Sequence, residues 1–74
     1  MVKMKNIKVL EKDKISMDCE DENYKKFHLV FKPSELEIIQ CTREKDVYVF
    51  HAMYRVAKEY EEGSVKDHSI AMWY

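Results

Sequence analysis

The pattern of hydrophobic residues is most informative between residues 46 and 63. At about 100° per residue, the apolar side chains of this segment fill one half of a helix: Val47, Val49, Phe50, Met53, Tyr54, Val56, Ala57 and Tyr60. A helix that lies on a core needs an apolar stripe only about 100° wide. The wider arc therefore predicts a helix that also contacts a second surface, with Phe50, Tyr54 and Ala57 at the centre of its buried face.

Alternating apolar and polar residues predict three strands before this helix. Residues 3–10 form a strand with Ile7 and Val9 inward, and residues 14–19 and 24–32 form the next two strands. The inward positions of the second and third strands are Ile15, Met17, Cys19, Phe27, Leu29 and Phe31. Short polar turns join the strands, which predicts an antiparallel meander with one face in water.

Residues 34–45 carry two conflicting signals. Ser34 and Glu37 fit the capping box of a helix, whereas the β-branched residues Ile38 and Ile39 favour a strand. We prefer the strand and keep the helix as the alternative.

The residues that flank the amphipathic helix predict where it begins and ends. It begins at Asp46 or, if residues 47–50 form a strand, near His51. Gly63 occupies the kind of position just past a helix where glycine is favoured.

The C-terminal segment, residues 68–74, is apolar on both faces. This is unusual because chain ends are normally polar and loose. We predict a strand that returns to the sheet, with Met72 and Tyr74 facing the core and Trp73 facing outward.

Residues 1–74 are thus predicted to be a single small α+β domain: an N-terminal antiparallel β-meander packed by one C-terminal amphipathic helix, with a final C-terminal strand.

Size and composition narrow the functional classes. A core built from 74 residues typically supplies only about 3–5 kcal/mol of net stability, so small domains often add a disulfide, a metal or a partner chain. The single glycine argues against glycine-rich phosphate loops, dinucleotide-binding fingerprints and nucleophile elbows. No secretory signal or membrane-spanning stretch is evident. We therefore expect a cytoplasmic protein whose cysteines, Cys19 and Cys41, are reduced.

The residues capable of catalysis or metal binding are scattered. His28, His51 and His68 lie in three different predicted elements, and the local spacing of a zinc site is missing. Cys19 lies on an apolar strand face beside acidic residues, which would raise its thiol pKa and oppose reactivity. We predict no enzyme activity, no cofactor and no metal.

The surplus of aromatic residues favours a role in protein binding. Tyrosine, tryptophan and arginine are enriched at the centres of interfaces, and Tyr48, Arg55, Trp73 and Tyr74 are our candidate contact residues. We expect a small adaptor or inhibitor that occupies the surface of a partner protein of unknown identity. Bacteria and their phages commonly encode such chains, and a homodimer is the simplest assembly.

A lysine-rich sheet face gives the alternative interpretation. It consists of Lys8, Lys14, Lys26, His28 and Lys32, all predicted to point away from the core. Such a face can follow nucleic-acid phosphates. Against this, the aromatic side chains on which single-stranded bases would stack point inward, and the formal net charge of the chain is −1.

Overall fold

A computed structural model describes residues 1–73 and shows a five-stranded antiparallel sheet with one helix on one face. Its elements are β1 (Val2–Leu10), β2 (Lys14–Asp21), β3 (Lys26–Lys32), β4 (Glu37–Cys41), α1 (Val47–Glu61) and β5 (His68–Ala71). The strand order is β4-β3-β2-β1-β5, so α1 carries the chain back across the sheet before β5 pairs with β1. The predicted α+β class, the meander and the final strand are confirmed, and the ambiguous segment contains a strand.

The inward faces of β2 and β3 agree with the predicted alternation. The side chains predicted to face the core are all buried: Ile15, Met17, Cys19, Phe27, Leu29 and Phe31. A one-residue shift would expose every one of them, which explains why a strict two-residue period predicts these strands well.

The alternation of β1 is interrupted by a bulge between Lys5 and Lys8. Asn6 has a φ of 52° there, so the chain turns Met4 inward before the bulge and Ile7 inward after it. Val9 was predicted to face inward but is 52% exposed. It pairs with the buried Ile15 and therefore lies on the inward face as predicted, but its side chain is not buried there.

The helix starts at the first of its two predicted positions. The side chain of Asp46 accepts a hydrogen bond of 3.1 Å from the backbone N–H of Val49, which satisfies one of the unpaired donors of the first turn. The alternative strand over residues 47–50 is therefore wrong. At the other end, Gly63 has a φ of 69°, as expected for a residue that terminates a helix.

The apolar arc of α1 is divided between the core and solvent. Its buried residues are Val49, Ala52, Met53, Val56 and Ala57. Phe50 and Tyr54, predicted at the centre of the buried face, are 36% and 50% exposed, so that prediction is wrong for both and correct only for Ala57. Small Ala52 lets the helix approach the sheet closely, and α1 lies nearest to β1 and β5. This placement leaves the other part of the arc uncovered.

The C-terminal segment faces the opposite way from the prediction. Ala71 is buried, Met72 is 73% exposed and Trp73 packs against the core. Ala71, the last residue of β5, pairs with the buried Val2, and the chain beyond it keeps this alternation, so that Met72 is exposed and Trp73 packs against the core. The expected orientations of Met72 and Trp73 are therefore wrong, and Tyr74 lies outside the described residues.

Within residues 1–73, no helix has the length and apolar character needed to cross a bilayer.

Candidate functional site

The uncovered part of α1 forms an apolar flank, which we define as Val47, Phe50 and Tyr54. The spacings of three and four residues place these side chains on one side of the helix. The rings of Phe50 and Tyr54 stack with centroids 6.1 Å apart and planes 29° from parallel. All three side chains remain substantially exposed, so the flank offers a preformed apolar surface.

A depression of about 640 Å³ adjoins the flank at Tyr54. Its apolar walls are Pro33 and Leu36 from the turn before β4, and Ala57 and Tyr60 from α1. The flank and the depression share Tyr54 and together form one strip between the helix and the β3–β4 turn, and the polar side chains Ser34, Lys58 and Glu61 also line the depression. Grouped exposed apolar residues of this kind mark interaction sites more often than isolated ones do.

Two of the predicted contact residues, Tyr48 and Trp73, lie against each other at the start of α1. Their ring centroids are 5.6 Å apart in an edge-on arrangement, and Trp73 also stacks on His51. The Tyr48 hydroxyl donates a hydrogen bond of 2.9 Å to Glu22, and this bond to a carboxylate raises the pKa of Tyr48. Both aromatic rings are partly buried against the core, so much of their area already stabilises the fold.

Arg55, the third predicted contact residue, lies about two helical turns beyond Tyr48. Its Nε donates a hydrogen bond of 3.0 Å to Glu59, which also accepts one of 2.6 Å from the Ser69 hydroxyl. The other carboxylate oxygen of Glu59 is buried without a hydrogen-bond partner. Glu59 thus joins α1 to β5, and Arg55 contacts Glu59 on the same helix. The structure does not bring Arg55 together with Tyr48 and Trp73. Tyr74, the fourth, lies outside the described residues.

An ion pair between the buried Asp21 and the partly exposed Arg43 was not predicted from the sequence. Arg43 Nη1 donates a hydrogen bond of 2.9 Å to Asp21, and Nη2 lies 2.7 Å from the N-cap carboxylate of Asp46. The guanidinium also lies 5.0 Å from the centroid of Phe27. These contacts join the end of β2 to the start of α1.

The carboxylate of Asp21 organises the β2–β3 turn as well. It accepts hydrogen bonds of 2.8 and 3.0 Å from the backbone N–H groups of Asn23 and Lys25. Burial alone would raise the pKa of Asp21, but the hydrogen bond from Arg43 and the two backbone donors lower it. The Asp-x-Asn sequence of this turn is a local pattern from which the turn could be predicted. The ion pair with Arg43 could not be predicted in this way, because the two residues are 22 positions apart in the chain.

The open face of the sheet, opposite α1, carries the predicted lysine-rich residues. Cross-strand pairing adds Lys3 and Lys5 to this face, and sets them opposite Glu20 and Asp18. Glu20 is in turn opposite Lys26. The basic side chains are therefore interleaved with carboxylates, which weakens the attraction that a continuous lysine surface would exert on phosphates. This mixture follows from the strand register, which the sequence pattern alone did not reveal.

A chain of hydrogen bonds connects Asp18, His28 and Ser16 on the open face. His28 Nδ1 lies 2.8 Å from Asp18, and His28 Nε2 lies 3.3 Å from the Ser16 hydroxyl. Hydrogen bonds from Asn6 and then from His28 lower the pKa of Asp18. The order of groups is that of a serine-hydrolase triad. However, Ser16 lies inside β2, a strand that pairs on both sides, rather than beside a helix N-terminus or turn that could present free backbone donors as an oxyanion hole.

The two cysteines are free thiols in different environments. Cys19 is buried and Cys41 is half-buried. Burial, and then the nearby charge of Asp18, raise the pKa of Cys19 to about 12, which keeps this thiol protonated and unreactive at neutral pH. Within residues 1–73, no group of three or more His, Cys, Asp or Glu side chains is arranged to hold a metal ion.

Comparison with known proteins gives no relative. No protein family, curated protein or solved structure matches this chain.

Proposed function

We propose that this chain is a small, non-enzymatic protein-interaction domain that works in the cytoplasm by occupying the surface of another protein chain, as an adaptor or inhibitor. The observation that carries the proposal is the exposed apolar flank. Val47, Phe50 and Tyr54 remain in solvent although the helix that bears them is well packed against the sheet on its other side. A homodimer is the simplest form of such an interaction.

The composition and shape of this strip support the proposal. Aromatic side chains are enriched at interface centres, and Phe50 and Tyr54 already stack on each other, so little rotamer freedom remains to be lost on binding. The adjoining depression at Leu36 and Ala57 offers a recess for an anchoring side chain. We therefore assign the main contact surface to the flank, and give Tyr48 and Trp73 a supporting role at the start of α1.

A matched pair of variants tests whether the flank binds another protein. Tyr54→Lys places a charge on the flank, whereas Tyr24→Lys changes a tyrosine that is 82% exposed in the β2–β3 turn. With tagged chains and a lysate of the native host, we expect wild type and Tyr24→Lys to retain the same protein, whether a copy of this chain or another, and Tyr54→Lys to lose it. Equal retention by all three chains, or by none, would contradict the proposal.

Nucleic-acid binding by the open sheet face is the second candidate. The observation in its favour is that Lys3 and Lys5 join the predicted basic residues around a depression of about 600 Å³ that is also lined by Lys26, His28 and His68. Binding through phosphates would weaken steeply with added salt, whereas apolar association through the flank would not.

A further inference from the structure

We infer that the occupant of the apolar flank is a second copy of this chain, held by antiparallel packing of the two α1 helices. This inference rests on the proposed protein-interaction function and identifies its partner. Residues 47, 50, 54, 57 and 61 recur at spacings of three and four along one side of α1, which is the pattern of a helix–helix seam. The core stripe of α1, which includes Met53 and Val56, faces the sheet and stays bound to it. Ala57, itself buried, lies where the two sides of the helix meet.

The sizes of the flank residues fit a two-fold arrangement. When the axis passes between Phe50 and Tyr54, each Phe50 meets Tyr54 of the second copy, and each Val47 meets Ala57 of the second copy. Ala57 is small and lines the depression beside Leu36, so the protruding Val47 has a recess to enter. The same surface is used on both copies, as a two-fold interface requires.

The charges at the two ends of the flank favour antiparallel packing. Lys58 and Glu61 are exposed near the C-terminal end of α1, and Lys45 and the half-buried Asp46 lie at its N-terminal end. Antiparallel helices bring Lys58 towards Asp46 of the second copy, whose carboxylate also pairs with Arg43 of its own chain, and Glu61 towards Lys45 of the second copy. Parallel helices would place Lys58 against Lys58 and Glu61 against Glu61, and like charges in contact oppose association. Antiparallel packing also sets the opposite ends of the two helix dipoles side by side.

Sedimentation equilibrium of the purified chain tests this inference over micromolar to millimolar concentrations. We expect wild type to pass from a 9.0 kDa monomer to a dimer. Tyr54→Lys and Lys58→Glu should each raise the dissociation constant at least about tenfold, which corresponds to about 1.4 kcal/mol. The controls Tyr24→Lys and Lys66→Glu change exposed residues outside the flank and should behave as wild type.

The possible failures are distinguishable. A wild-type chain that stays monomeric overturns the second copy as occupant, and the lysate test above then decides whether the flank serves another partner or none. A dimer that is unaffected by Tyr54→Lys places the contact elsewhere and also overturns the inference.

Air oxidation of Glu61→Cys tests the orientation of the two helices. Rapid disulfide linkage through position 61 requires parallel helices and would contradict the antiparallel arrangement.

Discussion

Trp73 stacks on His51, with ring centroids 3.9 Å apart and planes only 4° from parallel. This contact fastens the chain after β5 to the first turns of α1, where Trp73 also meets Tyr48. The ring of Trp73 therefore joins the chain after β5 to the start of α1, and its removal is expected to lower the free energy of unfolding.

Trp73→Ala is expected to lower the free energy of unfolding by about 2–3 kcal/mol. This value lies below the range of about 3–5 kcal/mol for removing a large aromatic side chain, because that range describes fully buried rings and Trp73 is only partly buried. Urea unfolding followed by circular dichroism measures the change. Met72→Ala is the control, and should stay within about 0.5 kcal/mol of wild type because its side chain is exposed. The opposite ranking of the two variants would show that the C-terminal segment faces the other way.

Met53→Ala and Phe50→Ala test how α1 divides its apolar arc. Met53 is fully buried, so truncation is expected to cost about 2–5 kcal/mol, enough to unfold much of so small a domain. Phe50→Ala should cost less than Met53→Ala in the monomer, because the Phe50 side chain is 36% exposed. Thermal melts at low protein concentration compare the two variants. Equal losses of stability would place Phe50 in the core and remove the apolar flank.

Asp21 and Asp18 are expected to make the free energy of unfolding depend on pH. The folded-state pKa of each carboxyl lies below its ordinary value of 3.8. Their stabilisation is therefore fully present above pH 3.8 and is lost as the pH falls through the lower folded-state pKa values. Asp21→Asn should lower the melting temperature at neutral pH and reduce its further fall in acid. Melting curves that keep the wild-type acid dependence after this substitution would assign the effect to other carboxyls.

Heparin chromatography tests the open sheet face. We expect wild type to elute at low salt, since Asp18 and Glu20 are interleaved with the lysines. Lys5→Glu should change retention little, and Lys12→Glu, in the β1–β2 turn, is its control. Strong retention that decreases steeply with salt and is lost only in Lys5→Glu would favour nucleic-acid binding instead.

The local periods of the sequence predicted much of the fold. Phe27, Leu29 and Phe31 could be assigned to the core because a strand allows only two faces. The bulge at Asn6 was not predictable in this way, because it depends on a backbone conformation that the apolar pattern does not encode. The orientation of α1 was missed for a related reason: Phe50 and Met53 are both apolar, and only the position of the helix over β1 and β5 decides which of them is buried.

For the candidate site, an apolar arc too wide for one surface indicated that apolar area would remain on α1. The contact residues chosen from the sequence were Tyr48, Arg55, Trp73 and Tyr74, whereas the exposed flank consists of Val47, Phe50 and Tyr54. Tyr48 and Trp73 turned out to pack on each other. Long-range pairs such as Asp21 with Arg43 depend on how strands and helix are brought together, so neither residue carries a local signal of the other.

Amide chemical shifts recorded by NMR over a dilution series test most directly whether the apolar flank is the contact surface. We expect the concentration-dependent changes to concentrate at residues 47–58 and at the turn formed by residues 33–36, while β2 and the open sheet face remain unchanged. Spectra of Tyr54→Lys should not change with concentration. Changes centred on Lys5 and His28, or wild-type spectra that are identical from micromolar to millimolar concentration, would contradict self-association through the flank.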